Sequence, residues 1–265
     1  MQETNKESLT CRIDDGLATI TLTRSDIGNP IDGALCRDLC DLSVILTCHN
    51  DLRAILLVSE GRFFSVGGDI RSFTRDRAAL PGIVLQWTSH LHMALARFQR
   101  MNAPIVCAVH GDIAGGAVSL AAMADVVYAA PGVKFTAAFS MIGFCADSGS
   151  TITLSNRMGL ARAKRFLLLS ESLSADAAGD AGLVDFVVPA EEIGAAAEKT
   201  ARQFAAGPTL AYGAIRRTIA SARTEAFEAQ LEQEAQALTA LAASDDAWEG
   251  LTAFADRRRP KFRGR

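Results

Sequence analysis

The alternation of apolar and polar residues near the start of the chain predicts a β-hairpin. From residue 9 to residue 23 the two kinds of side chain alternate on either side of Asp15 and Gly16, a dipeptide that suits the positive φ of a tight turn. An apolar period of helical spacing then follows Asp32, which is a residue type that caps helices. The apolar run at 54–58 comes next and predicts a strand.

The same succession of strand, glycine-containing loop and helix recurs along most of the chain. The pattern predicts helices at 81–99, 116–124, 148–158 and from Ser172 onward, and strands at 105–109, 126–130, 134–135 and 183–188. Beyond Pro189 it is helical, with breaks at Gly207 and Pro208 and again at Ser244. Repeated units of this kind, followed by helices, predict an α/β fold with mostly parallel strands and a helical appendage.

Composition excludes several classes of protein. The 265 residues include 27 Lys plus Arg and 30 Asp plus Glu, a net charge of −3, so a surface that is basic all over is excluded. The six cysteines form no CxxC pair, which favours buried free thiols, and we predict no metal site. The first ten residues lack an apolar segment, so we expect a cytoplasmic protein that does not insert into a membrane.

Two loops combine adjacent glycines with positions suited to ligand binding. Residues 63–70 read FFSVGGDI, and residues 110–120 carry Gly115 and Gly116 directly before a predicted helix. Paired glycines allow close backbone approach, and a helix N-terminus adds free N–H groups. Two such groups aimed at one carbonyl oxygen would form an oxyanion hole.

Together these segments resemble the crotonase (enoyl-CoA hydratase/isomerase) superfamily. FFSVGGDI is similar to its F-x-x-G-x-D-I loop, residues 104–129 to its second strand, glycine loop and helix, and residues 139–188 to the remainder. The resemblance implies a spiral of ββα units at 1–190 and a helical C-terminal region for trimerisation and CoA cover at 191–265. It also implies an acyl-CoA substrate, no cofactor beyond the coenzyme A moiety, a homotrimer or dimer of trimers, and no nucleic acid as partner.

The resemblance also assigns roles to individual residues. It places the oxyanion N–H groups on Gly68 and Gly116, and the acyl pocket at Phe139 and Phe144. It implies that coenzyme A is bound by a larger set, namely Arg24, Ser65, Val66, Gly67, Asp69, Ile70, Lys261 and Phe262. The last two belong to a basic tail, because six of the 27 basic residues lie in the final nine positions.

The reaction depends on the carboxylates around this oxyanion hole. Hydratases of the superfamily use two glutamates, and the matching places here hold Ser119 and Phe139. Asp147 instead matches the single acid of the superfamily's enoyl-CoA isomerases. One carboxylate in apolar surroundings can move a proton between two carbons and so shift a double bond. The alternative is that Asp147 only caps the helix beginning near Ser148.

Histidine provides a second possible chemistry. His92 lies close to where 4-chlorobenzoyl-CoA dehalogenases hold a histidine, and an aspartate nucleophile with a histidine base would hydrolyse an aryl ester. A histidine on an amphipathic helix is more often a surface residue. A third hypothesis is a non-catalytic CoA-binding or RNA-binding homologue. We expect His110 to be a structural hydrogen-bonding residue and Asp112 to point away from the site.

Overall fold

The computed structural model describes residues 2–222 and 227–265, in which ten strands form two sheets. The strands are β1 Gln2–Asn5, β2 Leu9–Asp14, β3 Leu17–Leu22, β4 Ala54–Ser59, β5 Ile105–Val109, β6 Ile113–Ala114, β7 Val126–Ala129, β8 Lys134–Thr136, β9 Ser172–Ser174 and β10 Phe186–Val187.

The described residues also form eleven α-helices. They are α1 Gly33–Thr47, α2 Ile70–Phe73, α3 Leu80–Arg100, α4 Gly116–Met123, α5 Ser150–Met158, α6 Leu160–Leu168, α7 Ala175–Asp180, α8 Ile193–Ala205, α9 Thr209–Ser221, α10 Phe227–Ala242 and α11 Asp245–Ala255. As predicted, Asp32 caps α1, because its Oδ1 accepts a hydrogen bond of 3.0 Å from the Leu35 amide. Ser244 caps α11 in the same way, through the Ala247 amide.

The larger sheet confirms the predicted hairpin and the mostly parallel strands. Its order is β1-β2-β3-β4-β5-β7-β10, and only the pairs β1–β2 and β2–β3 are antiparallel. Asp15 and Gly16 form the turn between β2 and β3 with φ values of +48° and +78°. The strands from β3 onward run parallel, so the loops that follow them meet at one edge of the sheet.

Hydrogen bonds hold the two glycine loops side by side at that edge. They follow the neighbouring strands β4 and β5. The Phe64 amide donates to the Asp112 carbonyl, and the Ala114 amide to the Ser65 carbonyl, both at 3.1 Å. The Gly115 amide donates to the Thr136 carbonyl of β8 at 2.9 Å, so the smaller sheet β6-β8-β9 joins the second glycine loop to the segment that follows β8.

The buried core is continuous from the sheet into the predicted helical region. α1 packs against α3, and α8 packs against β3, β4, β5 and β7. Ile193, Ala197 and Ala201 of α8 belong to the same buried cluster as the strands. The boundary at residue 190 stays a prediction, and residues 223–226 of the predicted helical region lie outside the described residues.

Two predicted elements were wrong in extent or type. Ser172–Ser174 pair with β8 as strand β9 instead of starting a helix, and Ser174 then caps α7. The strand predicted at 183–188 is limited to β10, because the amides of Leu183 and Val184 bond to the Ala178 carbonyl at the end of α7.

The prediction of buried thiols holds only in part. Cys11, Cys36 and Cys107 are buried, whereas Cys48 and Cys145 are exposed. No helix within residues 2–222 and 227–265 is both long enough and apolar enough to cross a membrane.

Candidate active site

A cavity of about 810 Å³ lies at the edge of the sheet where the two glycine loops meet. Its walls come from three loops and one face of α3. The residues around it include Val66, Gly67, Gly68, Ile70, Phe73, Val84, Trp87, Thr88, Leu91, His92, Gly115, Gly116, Phe139, Phe144, Cys145, Asp147 and Ser148. Most of these are apolar or glycine, so a bound acyl group would be largely removed from water.

In the first glycine loop the backbone amide of Gly68 is free of partners among the described residues. The Gly67 carbonyl accepts from the Ile31 amide at 2.8 Å, and the Asp69 amide donates to the Ile31 carbonyl at 3.1 Å. These two bonds form a parallel bridge between Ile31 and Gly68, in which Gly68 directs its own amide away from Ile31, and Gly68 lines the cavity. This amide donates no hydrogen bond within the described residues.

Other predicted residues of this loop shape it. The Ser65 hydroxyl donates to the Asn29 carbonyl at 2.7 Å and accepts from the Gly67 amide. The Asp69 carboxylate accepts from the Arg71 amide and the Ser72 hydroxyl. Neither Ser65 nor Asp69 lines the cavity, whereas Val66, Gly67 and Ile70 do.

The second glycine loop supplies another free amide. Gly116 is the first residue of α4, and its N–H likewise donates no hydrogen bond within residues 2–222 and 227–265. The loop leaves room for no side chain there, because a Cβ on Gly116 would lie 2.7 Å from the Ser148 Oγ. The amides of Gly68 and Gly116 are therefore two free donors in the wall of this cavity, which is what an oxyanion would need.

Asp147 is the one carboxylate among the described residues that line the cavity. Burial raises the pKa of its carboxyl group above the ordinary value, while the Ser148 hydroxyl opposes that rise in pKa, and a positive charge on His92 would do the same. The Ser148 hydroxyl donates to Asp147 Oδ1 at 3.0 Å. Helix α5 begins at Ser150 with Gly149 as its N-cap and no side-chain cap. The alternative prediction, that Asp147 only caps this helix, is therefore wrong.

His92 is exposed, as expected for a histidine on an amphipathic helix, and it also lines the cavity. Its Nε2 accepts a hydrogen bond of 3.2 Å from the Ser148 amide, which requires a lone pair on Nε2 and places the proton of the neutral ring on Nδ1. The other two polar residues behave as expected. His110 bonds to the Gly61 carbonyl at 2.7 Å, and the exposed Asp112 accepts from the Lys134 amide at 2.8 Å.

Two aromatic residues of the cavity, Phe73 and Trp87, were not predicted from the sequence. Phe139 and Phe144 line it as predicted. Phe73 joins them, with ring centroids 5.1 Å from Trp87 and 5.6 Å from Phe144. The signal for Trp87 was the helical period of α3, which places Val84, Thr88 and Leu91 on the same face.

The position of the first hydratase glutamate is occupied by a hydroxyl pair. Ser119 and Ser150 are both fully buried, and their hydroxyl groups hydrogen-bond to each other. The Ser150 hydroxyl also donates to the Asp147 backbone carbonyl at 2.5 Å. The pair therefore fixes the backbone of Asp147 and brings no second carboxylate to the cavity.

Besides Ser65 and Asp69, three more predicted CoA-binding residues lie outside this cavity. Arg24 pairs with Asp32 at 2.7 Å, and both side chains are mostly buried. The Lys261 amide donates to Glu249 at 2.8 Å. Phe262 contributes to a separate cavity of about 720 Å³ beside Arg53. Their roles in binding coenzyme A stay predictions. The described part of the chain contains no group of three or more potential metal-ligating side chains.

Comparison with known proteins gives one consistent family. A family model described as "Enoyl-CoA hydratase/isomerase" matches residues 12–265. The 1,2-epoxyphenylacetyl-CoA isomerase of Escherichia coli (strain K12) is 31% identical over 260 residues, covering 98% of this chain and 99% of that protein. The 2,3-dehydroadipyl-CoA hydratase of the same organism is 31% identical, covering 93% and 94%. The structure of an enoyl-CoA hydratase from Polaromonas sp. JS666 superposes with a TM-score of 0.90 at 25% identity, covering 96% and 99%.

Proposed function

The chain belongs to the enoyl-CoA hydratase/isomerase family and has the crotonase fold, and we propose that within this family it is an enoyl-CoA isomerase. The observation that carries the proposal is the single carboxylate of Asp147, half-buried in an apolar cavity that the two glycine loops also line. This arrangement supports proton transfer on a bound acyl thioester.

In the proposed reaction the thioester carbonyl oxygen accepts hydrogen bonds from the amides of Gly68 and Gly116. Asp147 removes a proton from the carbon next to the thioester, and the electron pair becomes an enolate that the two amides stabilise. Asp147 then returns the same proton two carbons away, so the double bond moves and no water is consumed.

The side chains around the cavity support isomerisation over hydration. Hydration by the family's two-glutamate route needs two groups that handle the protons of water, and Ser119 and Phe139 cannot do so near neutral pH. Burial of Asp147 also suits the proposed role, because it raises the carboxyl pKa toward the range of a useful general base.

Replacing Asp147 tests this proposal. We expect Asp147→Asn to reduce double-bond transfer by about a hundredfold to ten-thousandfold, the usual contribution of a general acid–base group. Binding of coenzyme A, measured by calorimetry, should change little. Wild type and variant would be assayed against 2-enoyl, 3-enoyl and aryl-CoA thioesters.

Asp112→Asn is the matched control for this experiment. Asp112 lies in the second glycine loop, but its side chain bonds to the Lys134 amide outside the cavity. We expect the control to retain activity. An Asp147→Asn protein that still isomerised its substrate at the wild-type rate would remove Asp147 from the role assigned to it.

His92 favours one alternative, a 4-chlorobenzoyl-CoA dehalogenase-like hydrolysis. Asp147 would attack the aryl ring and displace chloride, and His92 would activate water to cleave the resulting ester. We place this reaction second because the His92 Nε2 lone pair already accepts from the Ser148 amide. Loss of ester hydrolysis in His92→Gln, with chloride release that stops after about one turnover, would support it, and an isomerase unaffected by that change would count against it.

We also propose that the protein is a cytoplasmic homotrimer or dimer of trimers. Large apolar side chains on the C-terminal helices support this assembly, since Leu238, Trp248 and Phe254 are each more than two-thirds exposed in the single chain. Light scattering after size exclusion would give the number of copies, and a monomer would contradict the proposal.

A further inference from the structure

Ser148 has an unusual backbone conformation for its place in the cavity wall. Its φ is +54°, a left-handed value that side chains other than glycine rarely adopt, yet the residue is only 2% exposed. Such a conformation costs energy and persists where the surroundings determine it strongly. Contacts with Asp147, His92 and Gly116 hold Ser148 in this conformation.

Ser148 contacts each of the three groups that define the site. Its hydroxyl donates to Asp147 Oδ1 at 3.0 Å. Its backbone amide donates to His92 Nε2 at 3.2 Å. Its Oγ also lies 2.7 Å from where a Cβ on Gly116 would be, so the hydroxyl packs directly on the oxyanion loop. Ser148 thus contacts both the Asp147 carboxylate and the residue whose amide is the second proposed oxyanion donor.

The neighbouring Ser150 shows how a purely structural serine in this loop behaves. Its hydroxyl bonds to the backbone carbonyl of Asp147 and to Ser119, which holds the main chain of the loop. Ser148 differs because its hydroxyl bonds to the reactive carboxylate itself. A hydrogen bond to the charged form favours that form, so Ser148 opposes the rise in the Asp147 pKa that burial causes.

We propose that Ser148 is a positioning residue, which holds the Asp147 carboxylate at a fixed place relative to the Gly116 amide so that proton transfer and oxyanion stabilisation act on the same bound thioester. This proposal rests on the proposed isomerase function for its kinetic consequences. The hydroxyl group carries the role, and the left-handed backbone is the conformation that places the hydroxyl between Asp147 and Gly116.

Two substitutions separate the hydroxyl from the backbone. Ser148→Ala removes the hydroxyl and keeps a Cβ, whereas Ser148→Gly removes it and also relieves the positive φ. We expect both variants to lower kcat by about tenfold to about a hundredfold, since hydrogen bonds to charged groups are among the stronger ones. KM should stay within about twofold, because the residue does not hold coenzyme A in this proposal.

The pH profile distinguishes positioning from a general loss of structure. In both variants the acidic limb of kcat/KM should move to higher pH, because the ionised carboxylate has lost a donor. Ser140→Ala is the control, since the Ser140 hydroxyl lies on the same segment but bonds to Ser170 and Leu168 instead. Full activity in Ser148→Gly, or a rise in KM without a fall in kcat, would overturn the proposal.

A titration without substrate keeps the two proposals separate. The ¹³C carboxyl resonance of Asp147, assigned with Asp147→Asn, would be followed against pH in wild type, Ser148→Ala and Ser148→Gly. We expect the Asp147 pKa to rise in both variants, and an unchanged pKa would overturn the role of Ser148. If the pKa rises as expected while no acyl-CoA is isomerised, only the proposed function fails.

Discussion

At the scale of the residue, Asp147 shows the conflict between stability and reactivity. Desolvation by its apolar surroundings raises its carboxyl pKa, and the hydrogen bonds from the Ser148 hydroxyl and its own backbone amide oppose that rise, as a positive charge on His92 would. The native protein therefore holds a carboxylate that water would solvate better. Such a group is a better base and a less stable ion for the same physical reason.

This conflict predicts how stability changes when the charge is removed. The folded pKa of Asp147 lies above the unfolded value, so the native state binds the extra proton between the two values, and the free energy of unfolding falls as pH rises through that interval. Asp147→Asn should therefore be more stable than wild type at pH 7, with a smaller difference in acid. Urea unfolding at several pH values measures this, and a less stable variant at pH 7 would contradict it.

At the scale of the element, the two glycine loops lie side by side because each follows one of two neighbouring parallel strands. β4 and β5 are paired neighbours, and their loops touch so closely that a Cβ on Gly67 would lie 2.8 Å from the Ala114 carbonyl oxygen. Gly67 also has a φ of +84°. The spacing of the two loops, and with it the distance between the Gly68 and Gly116 amides, therefore depends on this glycine.

Gly67→Ala should push the two loops apart. We expect kcat to fall by about a hundredfold, the usual effect of losing one oxyanion donor, together with a loss of about 1 to 3 kcal/mol in the free energy of unfolding. Gly194→Ala is the control, because Gly194 lies in α8 with open space around its Cβ position. Wild-type kcat in Gly67→Ala would show that loop spacing does not matter.

The sequence predicts elements well where a local signal agrees with the final environment. Asp15 and Gly16 favour the hairpin turn independently of the rest of the chain, and the Asp32 cap involves only residues at the start of α1. Strand β9 was missed because three residues form a strand only when β8 lies beside them. The ion pair between Arg24 and Asp32 also depends on the tertiary structure and was not predicted. It engages Arg24, which the sequence predicted to bind coenzyme A.

The candidate site was predicted for a different reason. Gly68, Gly116 and Asp147 were assigned by resemblance to a family, and the structure brings all three to one cavity. The contacts that tie Ser148 to these residues had no sequence signal, because they depend on a left-handed backbone and on neighbours 32 and 56 positions away, Gly116 and His92.

At the scale of the whole molecule, the basic tail is bound to the body by carboxylates of α11. Asp246, only 3% exposed, accepts hydrogen bonds from the Arg263 and Gly264 amides at 2.6 and 2.7 Å. Arg258 and the Lys261 amide hold the Glu249 pKa down at about 2. Part of the tail's positive charge is therefore neutralised within the chain.

Asp246→Ala should release the tail. We expect the amides of Arg263 and Gly264 to lose protection from hydrogen exchange, while those of β5 keep theirs, because the variant removes two charge-assisted hydrogen bonds. Asp245→Ala is the comparison variant. Within the described residues the Asp245 side chain forms only a long, exposed ion pair of 3.7 Å with Arg265 and accepts no bond from the Arg263 or Gly264 amides, which should therefore keep their protection. Unchanged protection in Asp246→Ala would show that other contacts anchor the tail.

The buried hydroxyl pair of Ser119 and Ser150 has a consequence for redesign and for evolution. A glutamate introduced at position 119 would bring a charge into a fully buried place and remove the Ser119–Ser150 hydrogen bond, which orients the hydroxyl that Ser150 donates to the Asp147 carbonyl. We therefore expect that a second acid cannot be gained there by one substitution, because the same step would disturb the first. A path from one carboxylate to two in this fold would have to change Ser119 and Ser150 together.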